Sequence, residues 1–186
     1  MNFLENDINH ITQGSIVDGV DWGEDKNDTL GIVISNACDF EHDNIGFVVT
    51  LPLLPASAVI QGSKEFQSQL KNVAEGSNVL SKGASKSIIN ILEKYIYNKA
   101  ITRYYLIDPK PLLEAPCLMA DFQQMVSTPI SKIDSLIPIA KLKSPFIEQM
   151  MVQFASYTSR IPSDRVEEDQ KTALIKELTE GWTLNI

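Results

Sequence analysis

Two short runs set the terms for this chain. Leu30-Gly-Ile-Val-Ile-Ser35 and Gly46-Phe-Val-Val-Thr-Leu51 are of strand length, rich in β-branched residues and apolar on both faces. Branched side chains lose little freedom in an extended backbone, and a run apolar on both faces must lie inside a sheet. Turn formers bound the runs: Asp21-Trp-Gly-Glu-Asp-Lys-Asn-Asp28 before the first, the polar loop 36–44 between them, and Pro52 after the second, which is read as ending there. Short strands parted by such turns predict a small barrel rather than a parallel α/β sheet.

The rest of the chain extends this pattern. After a polar lead-in over residues 1–13, Gly14-Ser-Ile-Val-Asp18 reads as a first strand. Arg103–Ile107, Ala115–Phe122, Gln124–Ser127 and Ile137–Leu142 read as later ones. Between the two groups, Phe66 and Leu70 are spaced i, i+4, and Ile88, Ile89, Leu92, Tyr95 and Ile96 form a helical stripe. Residues 61–100 are thus a helical insertion. Ser144 suits an N-cap and Pro145 a first turn, followed by Phe146, Met150, Phe154 and Tyr157 on one face. That helix should stop near Arg160, ahead of Ile161-Pro162, and a tail helix is expected over 167–178, docked by Trp182.

With 186 residues, the chain can bury a core as one domain plus an insertion. Its longest apolar stretch, Phe47–Ile60, is broken by Pro52 and Pro55 and falls short of the ~18 residues a membrane span needs. The start, MNFLENDINH, lacks the basic and apolar regions of a secretory signal, and two cysteines are too few for a disulfide framework. A cytoplasmic protein without membrane contact is expected.

Charge narrows the partners. The net charge is −8, and the stretch from Asp18 to Asp43 holds eight acids against one base, Lys26. Such a field repels phosphate, so nucleic acid is an unlikely partner. These acids are solvated turn residues, a face for a basic protein or a site for a divalent cation, with Trp22, Glu24, Asp25 and Asp28 as the candidate contact residues for a protein partner. Trp22 serves either as an anchor or as core packing beneath the loop.

Three constellations bear chemistry. Cys38 and His42, four apart, with Cys117 as a third ligand, have zinc-binding residue types but no second close pair, and no metal or cofactor is assigned. Cys38 with His42 as base and Asp39 or Asp121 as orienter has the parts of a thiol nucleophile, although neighbouring acids raise a thiol pKa. RNA hydrolysis would use His42 or an Asp near Arg103, one of only three arginines. Cys38, Asp39, His42, Asp121 and Arg103 are therefore the candidate catalytic residues.

The pieces Gly14-Ser-Ile-Val-Asp18, Gly31-Ile-Val-Ile-Ser-Asn36 and Phe47-Val-Val-Thr-Leu-Pro52 together resemble the opening of the PemK/MazF family of SH3-like barrels. That resemblance spans about the first sixty residues. It implies a small SH3-like antiparallel β-barrel; with the helices read above, the expected fold is α+β, a barrel over 1–142 interrupted by the helical insertion and followed by a C-terminal helical extension over 143–186, which exceeds the size of a minimal family toxin. It also implies a toxin-type endoribonuclease held by an antitoxin peptide. Where the family carries an Arg before the Val-Ile-Ser-Asn strand, this chain has Thr29-Leu30-Gly31, so the charge for a scissile phosphate is missing. The segments Ser35–Asp39, Ala120–Gln123 and Leu142-Lys-Ser-Pro-Phe-Ile-Glu-Gln149 together resemble a group of bacterial proteins, some linked to mobile elements or phage defence. The reading that follows is a barrel acting as a binding or adaptor component of a bacterial conflict or phage-defence system, meeting an antitoxin-like or basic protein or forming a homo-oligomer. Endoribonuclease activity is the alternative.

Overall fold

The computed structural model describes residues 3–6, 8–23, 29–42, 44–71, 80–98, 103–110 and 112–159. The strands are β1 (Leu4–Glu5), β2 (Ser15–Asp18), β3 (Gly31–Val33), β4 (Phe47–Pro55), β5 (Tyr104–Ile107), β6 (Leu118–Asp121), β7 (Val126–Pro129) and β8 (Ile137–Leu142). The helices are α1 (Ala37–Glu41), α2 (Ala56–Gly62), α3 (Lys64–Leu70), α4 (Lys82–Ile96) and α5 (Phe146–Thr158), with a 3₁₀-helix at Ile130–Ser135. All strand pairs are antiparallel, in the order β1-β8-β2-β3-β4-β6-β5, with β7 also paired to β4. The protein is mixed α+β, an antiparallel sheet curled into a half-barrel and dressed with helices. No helix among the described residues is long and apolar enough to cross a membrane.

Strand β4 organises the molecule. Its first half pairs with β7, from Phe47–Pro129 to Thr50–Val126, and its last three residues pair with β6, from Leu53–Ala120 to Pro55–Leu118. The Leu53 N–H donates to Leu30 O on the β3 side, so position 52 faces the opposite side by strand alternation. There Pro52 sits between the last β7 rung and the first β6 rung, where a missing N–H breaks no ladder bond. For that reason β4 runs on to Pro55 instead of ending at Pro52. The second proline-bearing strand, β8, uses a bulge. Val17 faces Pro138 and Ile16 faces Ala140, leaving Ile139 as the extra residue.

The sheet buries both faces, as the double-sided apolar runs require. One face carries Ile16, Ile32, Leu51 and Leu53 under the α5 residues Phe146 and Met150. The other carries Val17, Val33 and Val48 under Leu136, with Ile11, Trp22, Phe40 and Ile133 packed around them. Helices α2–α4 cover Leu106 and Met119 through Ala56, Ile60, Phe66, Leu92 and Tyr95. Between α4 and β5, Asn98 takes the place of a neighbouring strand. Its amide Nδ2 donates to Leu106 O at 3.0 Å, and its Oδ1 accepts from Leu106 N at 2.9 Å. Asn98 adopts φ +46°, a left-handed conformation that asparagine tolerates better than most residues.

Several expectations need correction. The lead-in holds strand β1, because Phe3 and Leu4 are buried and Leu4 pairs with Leu142. The polar loop 36–44 contains α1, started by Asn36, whose Oδ1 accepts from Cys38 N. The helical insertion begins at Ala56 rather than residue 61. Helix α5 starts from Pro145 without a side-chain cap; the Lys143 carbonyl accepts from Phe146 N at 2.8 Å and does that work instead of Ser144. The expected tail helix and Trp182 lie outside the described residues.

Candidate functional site

The five candidate catalytic residues fall into two groups on different elements. Cys38 and Asp39 lie on α1, which follows β3, and His42 forms its C-cap. All three are exposed. Their recorded hydrogen bonds are structural: His42 N donates to Cys38 O, and Asn44 N to Asp39 O. Helix α1 anchors itself through Phe40, which packs on the second core face.

Arg103 and Asp121 lie at the β6–β5 end of the sheet order, whereas α1 follows the central strand β3. Tyr104 faces Asp121 across the β5–β6 ladder, which sets Arg103 beside the carboxylate. The guanidinium grips it with both prongs: Nε to Oδ1 at 2.6 Å and a terminal nitrogen to Oδ2 at 2.5 Å. Gln123 N donates to the same Oδ1 at 3.0 Å. Asp121 is fully buried, whereas the Arg103 side chain keeps 35% exposure. The hydrogen bond to Asp121 raises the Arg103 pKa above its already high ordinary value, with burial opposing. The Tyr104 ring lies 5.0 Å from the guanidinium carbon. Behind the pair, Phe122 meets Phe154 edge-on and Tyr157 obliquely, and Gln123 Nε2 donates to the Tyr157 hydroxyl.

Among the described residues no hydrogen bond or ion pair joins the Cys38 group to the Arg103 group. Cys117 packs beside the third cluster, and burial pushes its thiol pKa up, reinforced by Asp108. A thiol held protonated is a poor metal ligand or nucleophile. No trio of His, Cys, Asp and Glu among the described residues is placed to hold a metal.

Of the candidate contact residues, Trp22 is half-buried against the second core cluster. Its ring crosses Gly31 so closely that a Cβ there would lie 3.1 Å from it. Glu24, Asp25 and Asp28 lie outside the described residues. Two acids flanking that loop serve as turn acceptors: Asp18 Oδ1 takes Gly19 N at 2.7 Å and the Thr29 hydroxyl, and Asp21 Oδ1 takes Gly23 N at 2.9 Å.

Sequence reasoning missed a cleft of about 930 Å³ over the second core face, between segment 9–13, α1 and the 3₁₀-helix. Its signal was present but scattered: Ile11, Phe40 and Ile133 belong to three separate segments with no common period. No protein-family model matches this chain, and no curated protein is significantly similar to it.

Proposed function

We propose that this protein is a cytoplasmic binding module, a PemK/MazF-like barrel serving as an adaptor in a bacterial conflict or phage-defence system through contacts with another protein. The observation that carries the reading is the occupied guanidinium of Arg103. It is the sole arginine among the described residues, and a buried carboxylate holds one edge of it through two hydrogen bonds. A phosphodiester transition state needs an uncompensated cation, and here the Asp121 carboxylate already offsets the guanidinium charge and takes two of its five N–H donors. The wide acidic excess adds to this by repelling polyanions.

Two measurements test the proposal. The tagged full chain, expressed with its neighbouring genes, should co-purify with one of their products. Incubated with RNA at high protein excess and without added metal, it should leave the RNA intact. RNA degradation that disappears on Arg103→Ala or His42→Ala would overturn the adaptor reading in favour of a ribonuclease.

A further inference from the structure

The cleft over the second core face has a built floor and a charged rim. Ile11, Phe40 and Ile133 are only partly buried, and they surround the buried Leu136. Together they leave apolar surface open at the bottom of a cleft of about 930 Å³. On the rim, Glu41 and Asp134 are exposed, and neither joins an ion pair among the described residues. Of the basic side chains in the lining, Lys141 already has Glu5 at 4.0 Å, and His10 adds no formal charge at pH 7. The remaining rim charge is therefore negative, while the floor is apolar.

This combination discriminates among occupants. An anion or a nucleic-acid backbone would meet two carboxylates and gain no free cation. A small apolar ligand would fill the floor but leave the carboxylates without a role. An extended or helical peptide with lysine or arginine flanking an aliphatic or aromatic residue satisfies both: the apolar side chain covers Phe40 and Leu136 while its cations meet Glu41 and Asp134. Charge complementarity at a rim of this kind sets specificity and association rate, and the floor supplies the affinity. We propose that this cleft is the docking groove for a basic, apolar-anchored peptide segment of the partner protein. The proposal rests on the adaptor reading and gives it a surface and a partner chemistry.

The test is a selection from a random peptide library against the full chain and, in parallel, against the variant Glu41→Lys/Asp134→Lys. Both positions are exposed, so the variant should fold, which a matching thermal transition verifies. Selected peptides should be enriched in Lys or Arg beside Leu, Ile or Phe. They should bind the variant about tenfold or more weakly, with Glu41→Gln/Asp134→Asn between the two. Amide shifts in the labelled full chain should map to residues 9–13, 37–41 and 133–138. Enrichment of acidic or uncharged sequences, equal affinity for the charge-reversed variant, shifts elsewhere, or no enrichment would each overturn the groove. So would an RNA oligonucleotide shifting these same amides, or self-association abolished by the variant, which would make the occupant a second copy. Each of these outcomes is separate from the co-purification experiment, on which the adaptor reading stands or falls by itself.

Discussion

Asp121 is a carboxyl side chain at zero exposure, and the sheet end around it depends on how that group is partnered. Removing one partner of a buried pair strands the other, at a cost of about 3–5 kcal/mol. Arg103→Ala should fall toward the lower end of that range, because the guanidinium is itself part-exposed and water can reach the gap. A drop in the denaturation midpoint measures it. Arg103→Lys, which keeps the charge but loses the two-pronged grip, should recover only part. An Arg103→Ala protein as stable as its parent would show that the carboxylate does not depend on Arg103. Both residues were visible in the sequence as chemistry-bearing, but their pairing was not. An acid at the end of the apolar run Leu118–Asp121 says that some partner exists. Which partner is decided by the β5–β6 register, a long-range fact that no local pattern carries.

At the scale of elements, the same divide between local and distant causes recurs. Strands β2, β3 and β5 and helix α5 were legible because period and punctuation are local. Helix α1 was not, since five residues are too few to show a period. The continuation of β4 past Pro52 was hidden too, because a proline's tolerance depends on which strands lie beside it. The Asn98 edge closure belongs to this scale. Asn98→Ala removes both hydrogen bonds to Leu106 and leaves part-buried backbone groups short of partners, a loss of about 1–3 kcal/mol. Hydrogen exchange at the Leu106 amide should quicken with it. Asn98→Gly separates the causes, since glycine accepts the positive φ at no steric cost. If Asn98→Gly exchanges as slowly as the parent, the amide bonds are not what protects the edge.

For the whole molecule, tyrosine burial sets the alkaline limit of stability. Tyr105 is fully buried, its hydroxyl donating to Phe146 O at 3.2 Å, and burial pushes its pKa up to about 12 from an ordinary 10.0. Below pH 10 neither the folded nor the unfolded chain ionises this phenol, so it adds no pH dependence. Between about 10 and 12 the unfolded chain loses a proton that the folded chain keeps. Stability then falls by about 1.4 kcal/mol per pH unit. Tyr95 and Tyr104, also raised chiefly by burial, act in the same direction. Denaturation midpoints should begin to fall from about pH 9, where an unfolded Cys117 thiol ionises and the buried one does not, and should fall more steeply between pH 10 and 12; a level profile from pH 10 to 12 would contradict Tyr105 burial. The α+β barrel class was readable from strand length and turn spacing. The division of the core between two sheet faces and a helical flank emerges only once the strands are assembled.

One nine-residue strand, β4, serves two sets of neighbours. It offers no seam along which the protein can be dissected. A fragment ending before it loses the scaffold for everything upstream, and one starting after it leaves β7 without its partner and β6 with β5 alone. Anything that loosens this strand, whether a substitution, a heat pulse or a competitor for its hydrogen bonds, is felt on both flanks at once.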